Sequence, residues 1–182
     1  MKRTFFGLVL SLFVIMSANS FAATSVAIIK INEIISKSVA MQKAKKEIDK
    51  KKEQIEKDLK EKEKKLMNEK ADFESQAKVL DRMVLEEKAL KFQEKVIKFQ
   101  EEVRQNEQLL ASVNNNVIGQ ILDNIKKIIA DIKKEGKHDF DIVIPADIAI
   151  HHDSKLDISG DVMVRLDKEY KEVKVDFTNK SK

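Results

Sequence analysis

His138, His151 and His152 are the only histidines in this chain of 182 residues, and it has no cysteine. Imidazole ligates metals and moves protons near neutral pH. The adjacent pair His151-His152 is therefore the one spacing that invites a metal or acid–base role. On an extended segment neighbouring side chains point to opposite sides, so the two rings would not converge on one ion, and a solvated strand end is the simpler expectation. The absence of cysteine removes thiol nucleophiles, disulfides and Cys-x-x-Cys metal sites. There is also no glycine-rich phosphate loop and no G-x-S-x-G elbow. The 31 Asp and Glu residues are largely interleaved with lysine. Such carboxylates are solvated and ion-paired, not tuned for proton transfer. No catalytic residue, metal ligand or cofactor is expected, and the sequence reads as a protein that is not an enzyme.

The N-terminus reads as an export signal: Lys2 and Arg3, an uncharged apolar run over residues 5–16, and small residues around Ser20 and Ala22. Cleavage is expected after Ala22, with Ala23 the alternative. The run is too short to span a bilayer, which takes about 20 apolar residues. Residues 23–182 then form a single domain. Without Lys2 and Arg3, the 35 basic residues of the chain exceed its acidic ones by only two. Nucleic-acid binding asks for a basic excess with arginine and aromatics, and none is expected. Residues 43–70 hold twelve lysines but also eight acidic residues. That balance supports at most a weak contact with anionic lipid or lipopolysaccharide.

Between Asn32 and Glu135 the chain has no proline and one glycine, Gly119. This predicts helix over residues 33–135, with Asn32 as N-cap and Gly136 as a left-handed C-terminal cap. Apolar residues recur on a heptad: Leu85, Ala89, Phe92, Val96, Phe99, Val103, Leu110, Val113 and Val117, with Asn106 the one polar member. The first half is weaker. Its seam Met41, Ile48, Ile55, Leu59, Leu66, Phe73 and Leu80 is interrupted by Lys45, Lys52, Lys62, Glu69 and Gln76. The registers break at Asp81, which places a hairpin tip at 79–82 and makes the two helices antiparallel. Asn114, Asn115, Asn116 and Gly119 are poor helix formers and mark a soft point.

Past Val117 the apolar stripe widens through Ile121, Ile125, Ile128 and Ile132. Segments 25–31 and 139–170 flank the hairpin as a β base, with strands at Ser25 to Ile31, Phe140 to Ile144 and Ile148 to His151, then a closing helix from Asp161 to Tyr170. The tail after Tyr170 is polar and expected to fray. So small a base buries little surface, so Ile121, Ile125, Ile128, Ile132, Ile142 and Ile144 are expected to form an oligomer core. Met67, Met83, Leu90, Ile97 and Leu109 lie off the seam. They are either ordinary surface residues or a sparse adhesive lining for unfolded chains, a use that suits methionine.

The ends of the chain carry a resemblance. Val26-Ala-Ile-Ile-Lys-Ile31 before the hairpin, then Asp139-Phe-Asp-Ile-Val-Ile144, Ala149-Ile-His151, Leu156-Asp-Ile-Ser159 and Asp161-Val162, are similar in order and spacing to the Skp/OmpH family of periplasmic chaperones. The resemblance implies a mainly α fold with a small β base. It also implies a jellyfish-shaped homotrimer with helical tentacles, and unfolded outer-membrane proteins held between the arms without ATP. The departures are a long hairpin, a small net charge, Pro145, the His151-His152 pair and the tail after Tyr170. A coiled-coil spacer in the envelope is the competing reading; it would favour a fully apolar seam and additional domains.

Overall fold

The computed structural model describes residues 24–77 and 79–178; the expected export signal, residues 1–22, lies outside them. The fold is mainly helical with a two-stranded sheet. Strand β1 (Val26–Ile29) leads into α1 (Ile31–Lys37) and α2 (Val39–Gln76), which runs out along one arm. The chain turns and returns through α3 (Arg82–Lys134) to β2 (Ile142–Pro145) and α4 (Ser159–Glu169). At 1.5 Å per residue α3 is about 80 Å long. Strands β1 and β2 pair in parallel, Val26 opposite Ile142 and Ile29 opposite Pro145. The whole hairpin is thus the crossover between two neighbouring strands.

Local chemistry explains the turning points. At the tip the Asp81 carboxylate accepts the Met83 N–H at 2.8 Å and starts α3. At the other end Gly136 has φ +69°, the left-handed conformation that costs glycine least. The entry to α2 differs from the sequence reading. Helix begins at Ile31, so Asn32 lies inside it and is not its cap, and a break follows at Ser38. Ser38 is wholly buried. Its hydroxyl donates to Ile35 O and accepts from Met41 N, and Asp167 of α4 accepts the next N–H, that of Val39, at 2.8 Å. This joint fixes the direction in which α2 leaves the base.

The core is one cluster at the base. Ile121, Ile125, Ile128 and Ile132 are at most 1% exposed, packed with Ala27, Ile29, Ile34, Phe140, Ile158, Val162 and Leu166. The wide stripe on α3 is therefore covered within one chain, and these four isoleucines are not available to a second copy. In β2 it is Val143 that packs on this cluster, whereas Ile142 is half exposed. The expected third strand does not form. Pro145 gives way to a short 3-10 turn, Ala146–Ile148, and Ile150 is fully exposed. The second edge of β1 is taken instead by a single bridge from Ile28 to Asp157, with Ile158 N–H donating to Ile28 O at 3.0 Å.

That bridge is fastened by charge. Lys30 Nζ lies 2.8 Å from Asp157, Ser159 N–H donates to the same carboxylate at 2.9 Å, and Lys30 N–H donates to Ser159 Oγ at 2.7 Å. Burial acts to raise the Asp157 pKa, but Lys30 and the Ser159 hydroxyl and N–H outweigh it and hold it at about 2, from an ordinary 3.8. A depressed folded pKa stabilises the fold above the unfolded value, and that stability is lost as pH falls through the folded one. Asp157→Asn is expected to cost about 1.5–3 kcal/mol at neutral pH, the range for a hydrogen bond to a charged group. In urea unfolding the gap between parent and variant should close as pH is lowered from 3.8 to about 2. A gap independent of pH would mean that the Asp157 charge contributes nothing.

Candidate functional site

The arms and the base differ in how they are held. From Val113 downward α3 buries Val113, Val117, Ile121, Ile125, Ile128 and Ile132. Above Val113 its seam residues Val103, Phe99, Val96, Phe92 and Leu85 are only half-buried, because α2 is their sole neighbour. Helix α2 presents a face shifted from the strict heptad. Ala40, Ala44 and Ile55 are its buried residues, with Ile48, Lys51, Leu59, Leu66 and Phe73 partly covered and Lys45 and Lys52 exposed. The small side chains of Ala40 and Ala44 let the arm roots pack closely. Farther out, polar seam positions are satisfied across the hairpin. Lys62 pairs with Glu102, Glu69 with Lys95, and Lys88 Nζ donates to Gln76 Oε1 at 2.6 Å. Asn106 donates to the Glu102 carbonyl of its own helix at 2.9 Å. Near the tip the helices leave an open cleft in which Phe73 and Phe92 meet Lys88, Lys95 and Glu69.

Large apolar side chains are exposed on these distal arms: Met67, Val79, Met83, Val84, Leu90 and Ile97. Met83, Leu90 and Ile97 are spaced seven residues apart, so they fall on one line along α3 at intervals of about 10 Å. They are 80%, 63% and 55% exposed. Sequence reasoning singled out these three and Met67, but missed that the spacing makes them a row, and missed Val79 and Val84 at the tip. Leu109 does not belong with them. It is half-buried, on the flank of the seam where the arms converge above Val113.

The charged groups are arranged for solubility and pairing. Among the described residues every carboxylate whose pKa departs clearly from its ordinary value is shifted down. Arg104 does this to Glu101, Arg165 to Glu135, and the Ser25 N–H to Asp141. A general acid needs the opposite shift. Arg165 and Glu135 form a two-pronged pair at 2.7 and 2.6 Å that ties α4 to the end of α3. His138 meets Asp161 at 2.9 Å, while His151 is exposed and His152 Nδ1 lies 3.3 Å from the Asp153 carbonyl. The segment carrying the histidine pair is not a strand, so the opposed-faces argument does not apply to it. Among the described residues no group of three or more His, Asp or Glu side chains is placed to hold a metal ion, and no helix is long and apolar enough to cross a membrane.

Comparison with known proteins agrees with this architecture. The profile of the family described as "Outer membrane protein (OmpH-like)" matches residues 25–166. A crystal structure of a candidate outer membrane chaperone (OmpH-like) from Caulobacter crescentus CB15 superposes with a TM-score of 0.73 at 15% identity, over 85% of this chain and 90% of that one. No curated protein matches significantly.

Native-state hydrogen exchange checks the contrast between arm and base. Half-buried seams and exposed ion pairs contribute little per residue. Amides at 66–92 should exchange fast, and those of β1 and of residues 117–132 slowly. Uniform protection along α3 would contradict this.

Proposed function

The chain belongs to the OmpH-like family of outer membrane proteins, and from that membership we propose that it is an ATP-independent periplasmic holdase. In this reading it binds unfolded outer-membrane proteins between its helical arms and prevents their aggregation. The observation that carries it is the row Met83, Leu90 and Ile97, with Met67 on the other helix, exposed on arms whose surface is otherwise largely charged and polar. A folded surface rarely lines up large apolar residues without a partner. Each contact contributes at most about 1–2 kcal/mol by area. Several together give useful affinity by multivalency, while each stays weak enough to let the client go without a nucleotide. Flexible methionine side chains suit partners without a fixed shape.

A homotrimer fits the same reading. The surface proposed for it is the apolar exterior that the base leaves uncovered: Ile142 and Ile144 on β2, Ile148 and Ile150 after it, and Val164 on α4, all but Ile144 strongly exposed. Three hairpins projecting from such a base would enclose a space between arms. The lysines of α2 are largely matched by neighbouring acids, so any hold on anionic lipid or lipopolysaccharide would be weak and salt-sensitive.

Two experiments separate these parts. Changing Ile150 and Val164 together to Asp should convert the trimer to monomer by light scattering while helical content is kept; a variant that remains trimeric places the contact elsewhere. Changing Met67, Met83, Leu90 and Ile97 together to Ser should abolish suppression of aggregation of a urea-diluted porin, with the oligomer intact. Any single one of those changes should have little effect. If the fourfold variant protects as well as the parent, the row does not hold the client. Loss of protection with rising salt would then assign the hold to charge.

A further inference from the structure

Residues 170–178 lie beyond the stretch that matches the family, and contrary to the polar reading of the tail they do not fray. The Tyr170 N–H donates to Leu166 O at 2.9 Å and ends α4, and Lys127 Nζ stands 5.9 Å from the centre of its ring. The tail then follows the root of the arm and touches both helices. Glu172 pairs with Lys43 of α2 at 2.6 Å. Gln120 of α3 grips the peptide groups of Lys174: its Oε1 accepts the Lys174 N–H at 3.0 Å, and its Nε2 donates to the Lys174 carbonyl at 2.8 Å. Asn116 Oδ1 accepts from the same Nε2 at 2.7 Å and orients the amide.

Both contacts with Gln120 are made by backbone, so any residue except proline satisfies them. The side chains alternate. Val173 and Val175 pack on the buried cluster, Phe177 is half-buried, and Lys174 points outward. Backbone pairing combined with a two-residue side-chain period is how an extended peptide is recognised at a sheet edge. Here one glutamine side chain supplies the edge. The hold is light: one exposed ion pair, worth little, one amide and two valines that are only partly covered.

We propose that the groove between Lys43 on α2 and Gln120 on α3 is a docking site for an extended polypeptide segment with alternating apolar side chains, occupied in cis by residues 172–177 as a displaceable stand-in. The incoming segment would be a strand of an unfolded membrane barrel, whose residues alternate in this way. That identity rests on the holdase reading; the groove and its occupant do not. The site lies at the foot of the arm, below the row at Met83, Leu90 and Ile97, so a client could be held at two heights by two different modes.

The test uses the full chain. Val173→Asp with Val175→Asp releases the tail, and a fluorescent peptide with the sequence of residues 170–178 is the probe, read by anisotropy. The released variant is expected to bind it at least about ten-fold more tightly than the parent, and adding Gln120→Ala should take away about ten-fold. An unfolded porin should compete for the probe. Equal binding by parent and released variant, indifference to Gln120→Ala, or no competition by the porin would each overturn the proposal. So would loss of the helical signal in the released variant, since the tail would then be an integral part of the base. Direct binding of the probe, before porin is added, is read without any client, so failure of docking leaves the aggregation assay free to stand or fall alone.

Discussion

Ile121, Ile125, Ile128 and Ile132 form a continuous buried row at the foot of α3, and β1, α1 and α4 all find their packing partners on it. Burying each such side chain contributes about 1.5–3 kcal/mol. This row lets a sheet of two short strands persist, because such a pair is at best marginal by itself in water. It also lets the long hairpin act as a crossover. The strands are fixed side by side only because both ends of the hairpin are anchored on the same row. The Ser38 joint and the Lys30–Asp157–Ser159 clamp then set angles and edges on a base whose position is already decided.

The arms inherit the opposite condition. Above Val113 each helix has one neighbour, so no side chain of α3 there is fully buried. Polar seam positions are met by ion pairs across the hairpin, at Lys62–Glu102 and Glu69–Lys95, which keep the helices in register without adding much stability. A weakly held, well-solvated pair of helices can bend and part at low cost. It can therefore carry exposed Met83, Leu90 and Ile97 in a geometry that would adapt to the shapeless partner proposed for it. Stability is concentrated in the base and withheld from the arms.

Much of this was legible in the residues. The heptad of α3, the Asp81 cap and the Gly136 stop are local signals, and the structure places each of them where its local physics predicts. What was hidden depends on distant partners. Ser38 is followed by good helix formers, and its break is completed by Asp167, whose position only the folded base reveals. Ile148 and Ile150 alternate like a strand, yet the β1 edge they would need is taken by Asp157. The isoleucine stripe looked short of partners because the covering by β1, α1 and α4 comes from both ends of the chain. The tail was obscured by its lysines and acids, although Val173, Val175 and Phe177 already carried a two-residue period. The exposed row was half seen: its members stood out as off-seam residues, but Leu109 was grouped with them, since exposure depends on how closely the arms converge.

The central claim is that unfolded chains are held by the exposed apolar row of the arms and not by the far end of the base. Site-specific photo-crosslinking tests it most directly, with a photoreactive side chain placed at Leu90 in one variant and at Lys137, exposed just past the end of α3, in another. Each variant is mixed with a urea-diluted outer-membrane porin and irradiated. The account predicts a strong crosslink to the porin from position 90 and little from position 137. Equal yields from the two positions, or a crosslink from 137 alone, would contradict it.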